Sequence, residues 1–162
     1  MTISVSVRAA TDADVPAITA LVNAAFAVER RFVDRDRTNV DEIARMRAKG
    51  TFFLLDAEDG TLLASMYLER RGDRAYLGML SIQPSQQGRG LGRAMMAAAE
   101  AQVRAWGCRG IDIRILSLRT ELPPFYLALD FVETGRTDVV DDPFTREPYY
   151  FILMSKELVP SP

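Results

Sequence analysis

Hydrophobic and polar residues alternate with two periods along the chain, and together these predict a mixed α/β fold. Residues 111–115 alternate strictly, with isoleucines flanking Asp112 and Arg114, which is typical of a strand with one buried face. Other apolar runs predict strands at residues 4–8, 51–56, 62–70, 75–82, 131–138 and 149–158. A period near 3.6 predicts helices at residues 15–26, 40–48 and 91–106, and a proline pair begins a short helix at residues 123–129.

The order of these elements favours an open sheet. It runs strand, two helices, three strands, helix, strand, helix and two strands. Hairpins joined by helical crossovers predict a mixed, mostly antiparallel sheet with helices on both faces. No repeat or linker divides the sequence, so we expect one domain over residues 1–162. Residues 28–38, dense in Arg, Asp and Phe, are predicted to form an irregular loop.

Composition and charge exclude several functions. With 48% hydrophobic and 26% charged residues the chain can build a core, and a net charge of −2 argues against nucleic-acid binding. Histidine is absent and Cys108 is the only cysteine, so His-dependent triads are excluded and no metal site is expected. No apolar run approaches the ~20 residues that span a bilayer. We therefore expect a cytoplasmic protein without membrane contact.

Residues 81–93 join a strand to the long helix and contain a glycine at every second position of their second half: Gly88, Gly90 and Gly92. Glycines let the backbone approach a ligand closely, and a helix N-terminus offers unpaired N–H groups with partial positive charge. Arg89 and Arg93 add charge beside them. The pattern predicts an anion site suited to a pyrophosphate.

Other glycine-rich loops fit these residues less well. A nucleotide-hydrolase loop requires Lys-Ser or Lys-Thr after the glycines, and neither is present. A dinucleotide fingerprint requires a third glycine where this sequence has Arg93 or Met95. A turn that only caps the helix would not need three glycines, each costing about 0.5–1 kcal/mol relative to alanine.

The motif at residues 87–92, Gln-Gly-Arg-Gly-Leu-Gly, resembles the Gln/Arg-x-x-Gly-x-Gly/Ala signature of GNAT-superfamily acetyltransferases. Residues 80–84 resemble that family's strand-and-proline approach, and residues 125–131 resemble its Phe-Tyr-x-x-x-Gly-Phe segment. The resemblance implies a GNAT-like fold, with the sheet splayed to hold an acyl-coenzyme A (acyl-CoA). Asp130 departs from the family's usual glycine, and Arg119 stands where many members have an asparagine that touches the cofactor arm.

The resemblance also implies which residues bind acetyl-CoA, the expected co-substrate. Backbone amides of residues 87–93, the glycine loop, would hold the pyrophosphate, and two residues of the preceding strand would pair with the pantetheine arm as an extra strand would. The expected set is Leu80, Ile82, Gln87, Gly88, Arg89, Gly90, Leu91, Gly92 and Arg93.

Amine attack on a thioester needs a neutral amine and a group that receives charge at the leaving sulfur. The resemblance places Tyr126 near that sulfur. A phenol has a pKa of ~10 and a thiol ~8.5, so complete proton transfer is uphill by roughly 2 kcal/mol, and a hydrogen-bond donor is expected. The general base stays unassigned: residues 76–80 contain no carboxylate, and Glu69 is either a base acting through water or a solvated surface residue.

The acceptor is expected between residues 28–38 and 140–148, with Arg31 and Arg35 as substrate-binding candidates, although such charge runs are more often solvated. The expected function is direct acetyl transfer from acetyl-CoA to a primary amine of a small molecule or peptide. The alternatives are a non-catalytic module that binds acyl-CoA and regulates a partner, and a nucleotide-binding protein. Acyl length and oligomeric state stay open, with a homodimer allowed.

Overall fold

The computed structural model describes residues 5–158. Within them a seven-stranded sheet has the order β1-β2-β3-β4-β5-β7-β6. Its strands are β1 (Arg8–Ala9), β2 (Thr51–Asp56), β3 (Leu62–Arg71), β4 (Arg74–Ile82), β5 (Gly110–Leu116), β6 (Val132–Arg136) and β7 (Phe151–Glu157). The α-helices are α1 (Val15–Ala25), α2 (Val40–Lys49), α3 (Leu91–Ala105) and α4 (Leu122–Leu127). All neighbouring strands are antiparallel except β4 and β5, which confirms the predicted mixed, mostly antiparallel sheet.

Two segments differ from the sequence-based expectation. The strand predicted at residues 4–8 is reduced to β1, and Ser4 lies outside the described residues. Residues 28–38 are not irregular throughout, because a 3-10 helix over Phe26–Arg31 continues directly from α1. This short helix is held at its end, where Val33 N donates to Glu29 O at 2.8 Å.

Helices cover both faces of the sheet, with a hydrophobic core on each. Ile18, Val22 and Ile43 from α1 and α2 pack on one face. Met95, Met96, Ala99, Val103 and Tyr126 from α3 and α4 pack on the other. Burying one such aliphatic or aromatic side chain contributes about 1.5–3 kcal/mol, so the two cores fix the helices against the sheet.

A β-bulge in β4 reverses the alternation of its side chains. Ala75 and Leu77 pack in the α3/α4 core, but Met79 packs in the α1/α2 core. Leu80 and Ile82 then return to the α3/α4 side. The register against β3 shifts at this point, and Met79 has a φ of 52°, in the left-handed region. The bulge therefore redirects the last residues of β4, the strand that leads to the glycine loop.

Candidate active site

The sheet opens between its two central strands. β4 and β5 pair only at Ala75↔Ile111 and Tyr76↔Asp112. At this closed end the Arg74 guanidinium donates to both carboxylate oxygens of Asp112, each at 2.9 Å. A bidentate pair of this kind is among the stronger polar contacts in proteins. Beyond it the strands separate, so the cleft lies towards their C-terminal ends.

A cavity of about 810 Å³ occupies this cleft, a size typical of small-molecule sites. Its walls are β4, β5, the glycine loop, α4 and the 3-10 helix over Phe26–Arg31. Eight of the nine expected cofactor-binding residues line it: Leu80, Ile82, Gln87, Gly88, Gly90, Leu91, Gly92 and Arg93. Arg89, the ninth, is exposed and does not line the cavity.

The glycine loop presents backbone donors to this cavity. Gly88 and Gly90 have φ of 78° and 82°, a conformation that favours glycine. Gly90 is the N-cap of α3, and Ala94 N donates to Gly90 O at 3.1 Å. The N–H groups of residues 91–93 precede that first helical bond and have no intrahelical acceptor. Such unpaired donors at a positive helix end form an anion site.

The end of β4 faces the cleft with its backbone. Gln83 N donates to Leu63 O of β3 at 2.8 Å, which fixes the edge to which this residue's backbone points. Because backbone groups alternate along a strand, those of Leu80 and Ile82 point to the other edge, where β5 has diverged. The Gln87 side-chain amide donates to Ile82 O at 3.3 Å, so this acceptor is used within the protein.

Tyr126 lies at the junction of the core and the cavity. Its side chain is 8% exposed, and its ring makes edge-to-face contacts with Phe125 and Phe131, with centroids 5.0 and 5.5 Å away. Burial raises the pKa of Tyr126 to about 12, although the positive charge of Arg119 opposes this. The phenol is therefore protonated at neutral pH. Tyr126 lines the cavity, and its hydroxyl has no hydrogen-bond partner among residues 5–158, so it is free to donate.

Glu69, considered as a base, does not line the cavity. Its carboxylate accepts hydrogen bonds from Tyr67 Oη and Arg71, both at 3.1 Å. The hydrogen bond from Arg71 lowers the pKa of Glu69, while burial opposes this. Both contacts hold the carboxylate ionised and occupied at the surface of β3.

The two segments expected to bind the acceptor do meet. Asp34 N donates to Phe144 O at 2.7 Å, and an isolated bridge joins Val33 to Thr145. Arg35 lines the cavity and pairs with Asp142 at 3.0 Å. Arg31 does not line it; its nearest carboxylate is that of Glu121, at 4.0 Å.

Several cavity residues were not anticipated from sequence. They are Phe26, Tyr76, Arg114, Tyr149 and Phe151. Glu29, from the segment expected to bind the acceptor, and Arg119, at the position expected near the cofactor arm, line it as well. Glu29 and Arg119, 13% and 11% exposed, form an ion pair of 2.7 Å that connects the 3-10 helix with the segment before α4. The one available signal was the alternation in residues 111–115, which puts Arg114 opposite the buried isoleucines on a strand that ends at the cleft.

Two further findings concern the described residues alone. Among residues 5–158 no group of three or more His, Cys, Asp or Glu side chains is arranged to hold a metal ion. No helix in this part of the chain combines the length and apolar character needed to cross a bilayer.

Comparisons with known proteins agree with this geometry. The model of the acetyltransferase (GNAT) family matches residues 16–131. The ribosomal-protein-S18-alanine N-acetyltransferase from Escherichia coli is 18% identical with a TM-score of 0.78, over 97% of this chain and 96% of that one. A GNAT-superfamily phosphinothricin acetyltransferase from Sinorhizobium meliloti, solved with AcCoA, is 17% identical with a TM-score of 0.76, over 96% and 89%. YncA from Salmonella typhimurium, solved with its cofactor acetyl-CoA, is 21% identical with a TM-score of 0.72, over 99% and 97%. At these identities the structural similarity shows a shared fold.

Proposed function

The chain belongs to the acetyltransferase (GNAT) family, and from this premise we propose that it is an N-acetyltransferase. It transfers an acetyl group from acetyl-CoA to a primary amine of a small molecule or peptide by direct attack. One observation supports this most: a single cavity joins the unpaired N–H groups at the start of α3 to the free hydroxyl of Tyr126. The cavity thus offers an anion site and a hydrogen-bond donor to the same ligand.

The residues present fit acetyl-CoA as the co-substrate. Backbone N–H groups of residues 88–93 and the exposed side chain of Arg93 bind the pyrophosphate, because both supply positive charge at the cavity edge. The open backbone edge of Leu80 and Ile82 binds the amides of the pantetheine arm by strand-like pairing. For a ligand to use Ile82 O, the Gln87 amide must release it. Acetyl-CoA supplies the activated thioester.

Tyr126 acts as a hydrogen-bond donor to the leaving sulfur. Its hydroxyl donates a hydrogen bond as the C–S bond breaks, and the thiolate formed takes its proton from water. The attacking nitrogen loses its proton to water, since Glu69 lies outside the cavity and Glu29 is held by Arg119. The other cavity carboxylate, Asp36, is paired with Arg30 at 3.5 Å. Direct transfer needs no protein nucleophile. Cys108, the only cysteine, is buried outside the cavity and has no histidine to activate it.

The test is release of the CoA thiol from acetyl-CoA across a panel of primary amines, with the acetylated product identified by mass. Thiol release and product should form in equal amounts, and only when an amine is present. Calorimetry with acetyl-CoA alone provides the control for binding. Binding without acetylation of any amine would contradict the enzyme and favour the non-catalytic acyl-CoA-binding module. Displacement of acetyl-CoA by ATP or NAD would favour a nucleotide-binding protein.

A further inference from the structure

Most arginines that line the cavity are paired with a carboxylate. The pairs are Arg119–Glu29 at 2.7 Å, Arg35–Asp142 at 3.0 Å and Arg37–Glu42 at 3.7 Å. Arg93 and Arg114 also line the cavity, and neither has a carboxylate partner within residues 5–158. Two guanidinium groups in the cavity are thus available to an anionic ligand.

These two arginines lie on different sides of the sheet. Arg93 is in the first turn of α3, next to the unpaired N–H groups, where it serves the pyrophosphate. Arg114 is on β5, between Ile113 and Ile115, which are buried in the α3/α4 core. Because side chains alternate along a strand, Arg114 points to the opposite face, the side of α1 and the 3-10 helix over Phe26–Arg31. Arg114 therefore lies on the side of the cleft away from the α3/α4 core.

The aromatic side chains beside Arg114 orient its guanidinium. The guanidinium carbon lies 3.8 Å from the centre of the Phe151 ring. Phe151 is itself supported edge-on by Tyr149, with centroids 5.6 Å apart. Stacking fixes the plane of a guanidinium but leaves the N–H groups at its edge free, and that planar fork matches a carboxylate in two parallel hydrogen bonds. A lysine ammonium would not present this geometry.

We propose that Arg114 binds the carboxylate of the acceptor, so that the substrate class is a primary amine that also carries a carboxylate, with α-amino acids as the simplest members. The inference rests on the proposed acetyltransferase function and deepens it. It assigns binding of the acceptor's negative charge to Arg114 on β5 instead of the two arginines expected from sequence. Of those, Arg35 is paired with Asp142 and Arg31 lies outside the cavity.

The experiment compares α-amino acids with their carboxamides as acceptors, at saturating acetyl-CoA. The amide has the more easily deprotonated amine, so a preference for the acid cannot come from amine reactivity. We expect higher kcat/KM for the acids in the unmodified protein. Arg114→Gln should lower that value for acids by about 10- to 100-fold, leave amides within about twofold, and leave the KM for acetyl-CoA unchanged. Arg45→Gln, which removes an exposed arginine of α2 outside the cavity, is the matched control and should change none of these values.

The remaining outcomes separate a failure of this assignment from a failure of the proposed function. Equal use of acids and amides by the unmodified protein would refute it while leaving the acetyltransferase intact. An Arg114→Gln variant with a raised KM for acetyl-CoA and equal losses on acids and amides would assign Arg114 to the cofactor. If no amine is acetylated, the proposed function fails, but calorimetry of amino acids with the CoA-loaded protein still tests the role of Arg114. Amino-acid binding that is lost in Arg114→Gln supports the anion site. Binding that is unaffected by the substitution, or absent from both proteins, refutes it.

Discussion

Replacing Tyr126 with phenylalanine tests the proposed hydrogen-bond donor directly. Burial raises the pKa of Tyr126 to about 12. A free thiol has a pKa of ~8.5, so complete proton transfer from this phenol to the thiolate is uphill by about 5 kcal/mol. The role we propose for the hydroxyl is therefore a hydrogen bond to the charge that develops on sulfur. A hydrogen bond to a charged group contributes about 1.5–3 kcal/mol, which corresponds to a rate loss of about 10- to 150-fold in Tyr126→Phe.

The assay should measure the single-turnover rate of acetyl transfer, because product release can limit steady-state turnover. Calorimetry should give the same Kd for acetyl-CoA in both proteins, since the effect arises in the transition state. Stability should be nearly unchanged in urea, because the Tyr126 hydroxyl has no protein partner among residues 5–158 and its ring contacts are retained by phenylalanine.

Two results would refute this reasoning. A single-turnover rate within about twofold of the original would remove Tyr126 from the mechanism. An alkaline loss of rate near pH 9, present in the original protein and absent from Tyr126→Phe, would mean that the phenol ionises far below the pKa of about 12 that its burial produces. A weaker Kd for acetyl-CoA in the variant would instead assign the hydroxyl to cofactor binding.

Two further predictions concern the loop and the acid stability of the fold. Gly88→Ala should weaken acetyl-CoA binding in calorimetry by about 5- to 30-fold, because at a φ of 78° a Cβ costs about 1–2 kcal/mol even where it meets no atom within 4 Å. The control is Gly60→Ala, which is equally strained at a φ of 87° but lies outside the cavity, and it should lower the urea midpoint without changing acetyl-CoA binding. The reverse pattern would contradict the assignment of the loop to the cofactor. Asp14 accepts two hydrogen bonds of 2.9 Å from Arg8, which hold its pKa well below its usual range. The carboxyl of the unfolded chain has a pKa of ~3.9, so the stabilisation is complete above that pH and is lost as the pH falls below it. Asp14→Asn should therefore lower the urea midpoint at pH 7 and make the midpoint fall less steeply between pH 5 and 2. The same fall of the midpoint with pH in both proteins would refute the contribution of this pair.

Much of the fold followed from local sequence signals. Strict alternation predicted β5 within one residue at each end, and the alanine-rich period predicted α3 within one residue of its end. In both elements the buried residues recur with a clear period along the sequence, and this signal can be read from neighbouring residues alone. The β4 bulge, where Met79 has a φ of 52°, was not predicted. The sequence Leu77-Gly-Met-Leu80 contains no polar residue, so it gives no sign of which face each side chain takes. Apolar side chains can pack in the core on either face of the sheet.

The candidate site was predictable only where a motif specified backbone geometry. The glycine spacing pointed to the loop because few other structures need three such residues. The acceptor side depends on pairings between distant residues, and those are not visible in a linear pattern. Arg35 and Arg114 look equally free in the sequence, yet Arg35 pairs with Asp142, 107 positions away, and Arg114 stacks on Phe151.

Arg119 shows how one departure from the family pattern changes the site. It stands at the position where the family resemblance has an asparagine directed at the cofactor arm, but here its guanidinium binds Glu29 at 2.7 Å and Glu121 at 2.6 Å. The side chains of Arg119 and Glu29 are mostly buried, so separating them would leave an uncompensated charge in the cavity wall. The pair therefore holds the 3-10 helix over Phe26–Arg31 at a fixed distance from α4, and it occupies the carboxylate of Glu29. With that carboxylate occupied, the proposed mechanism leaves water to accept the proton of the attacking amine and assigns to the chain the positioning of its substrates and the stabilisation of the leaving sulfur.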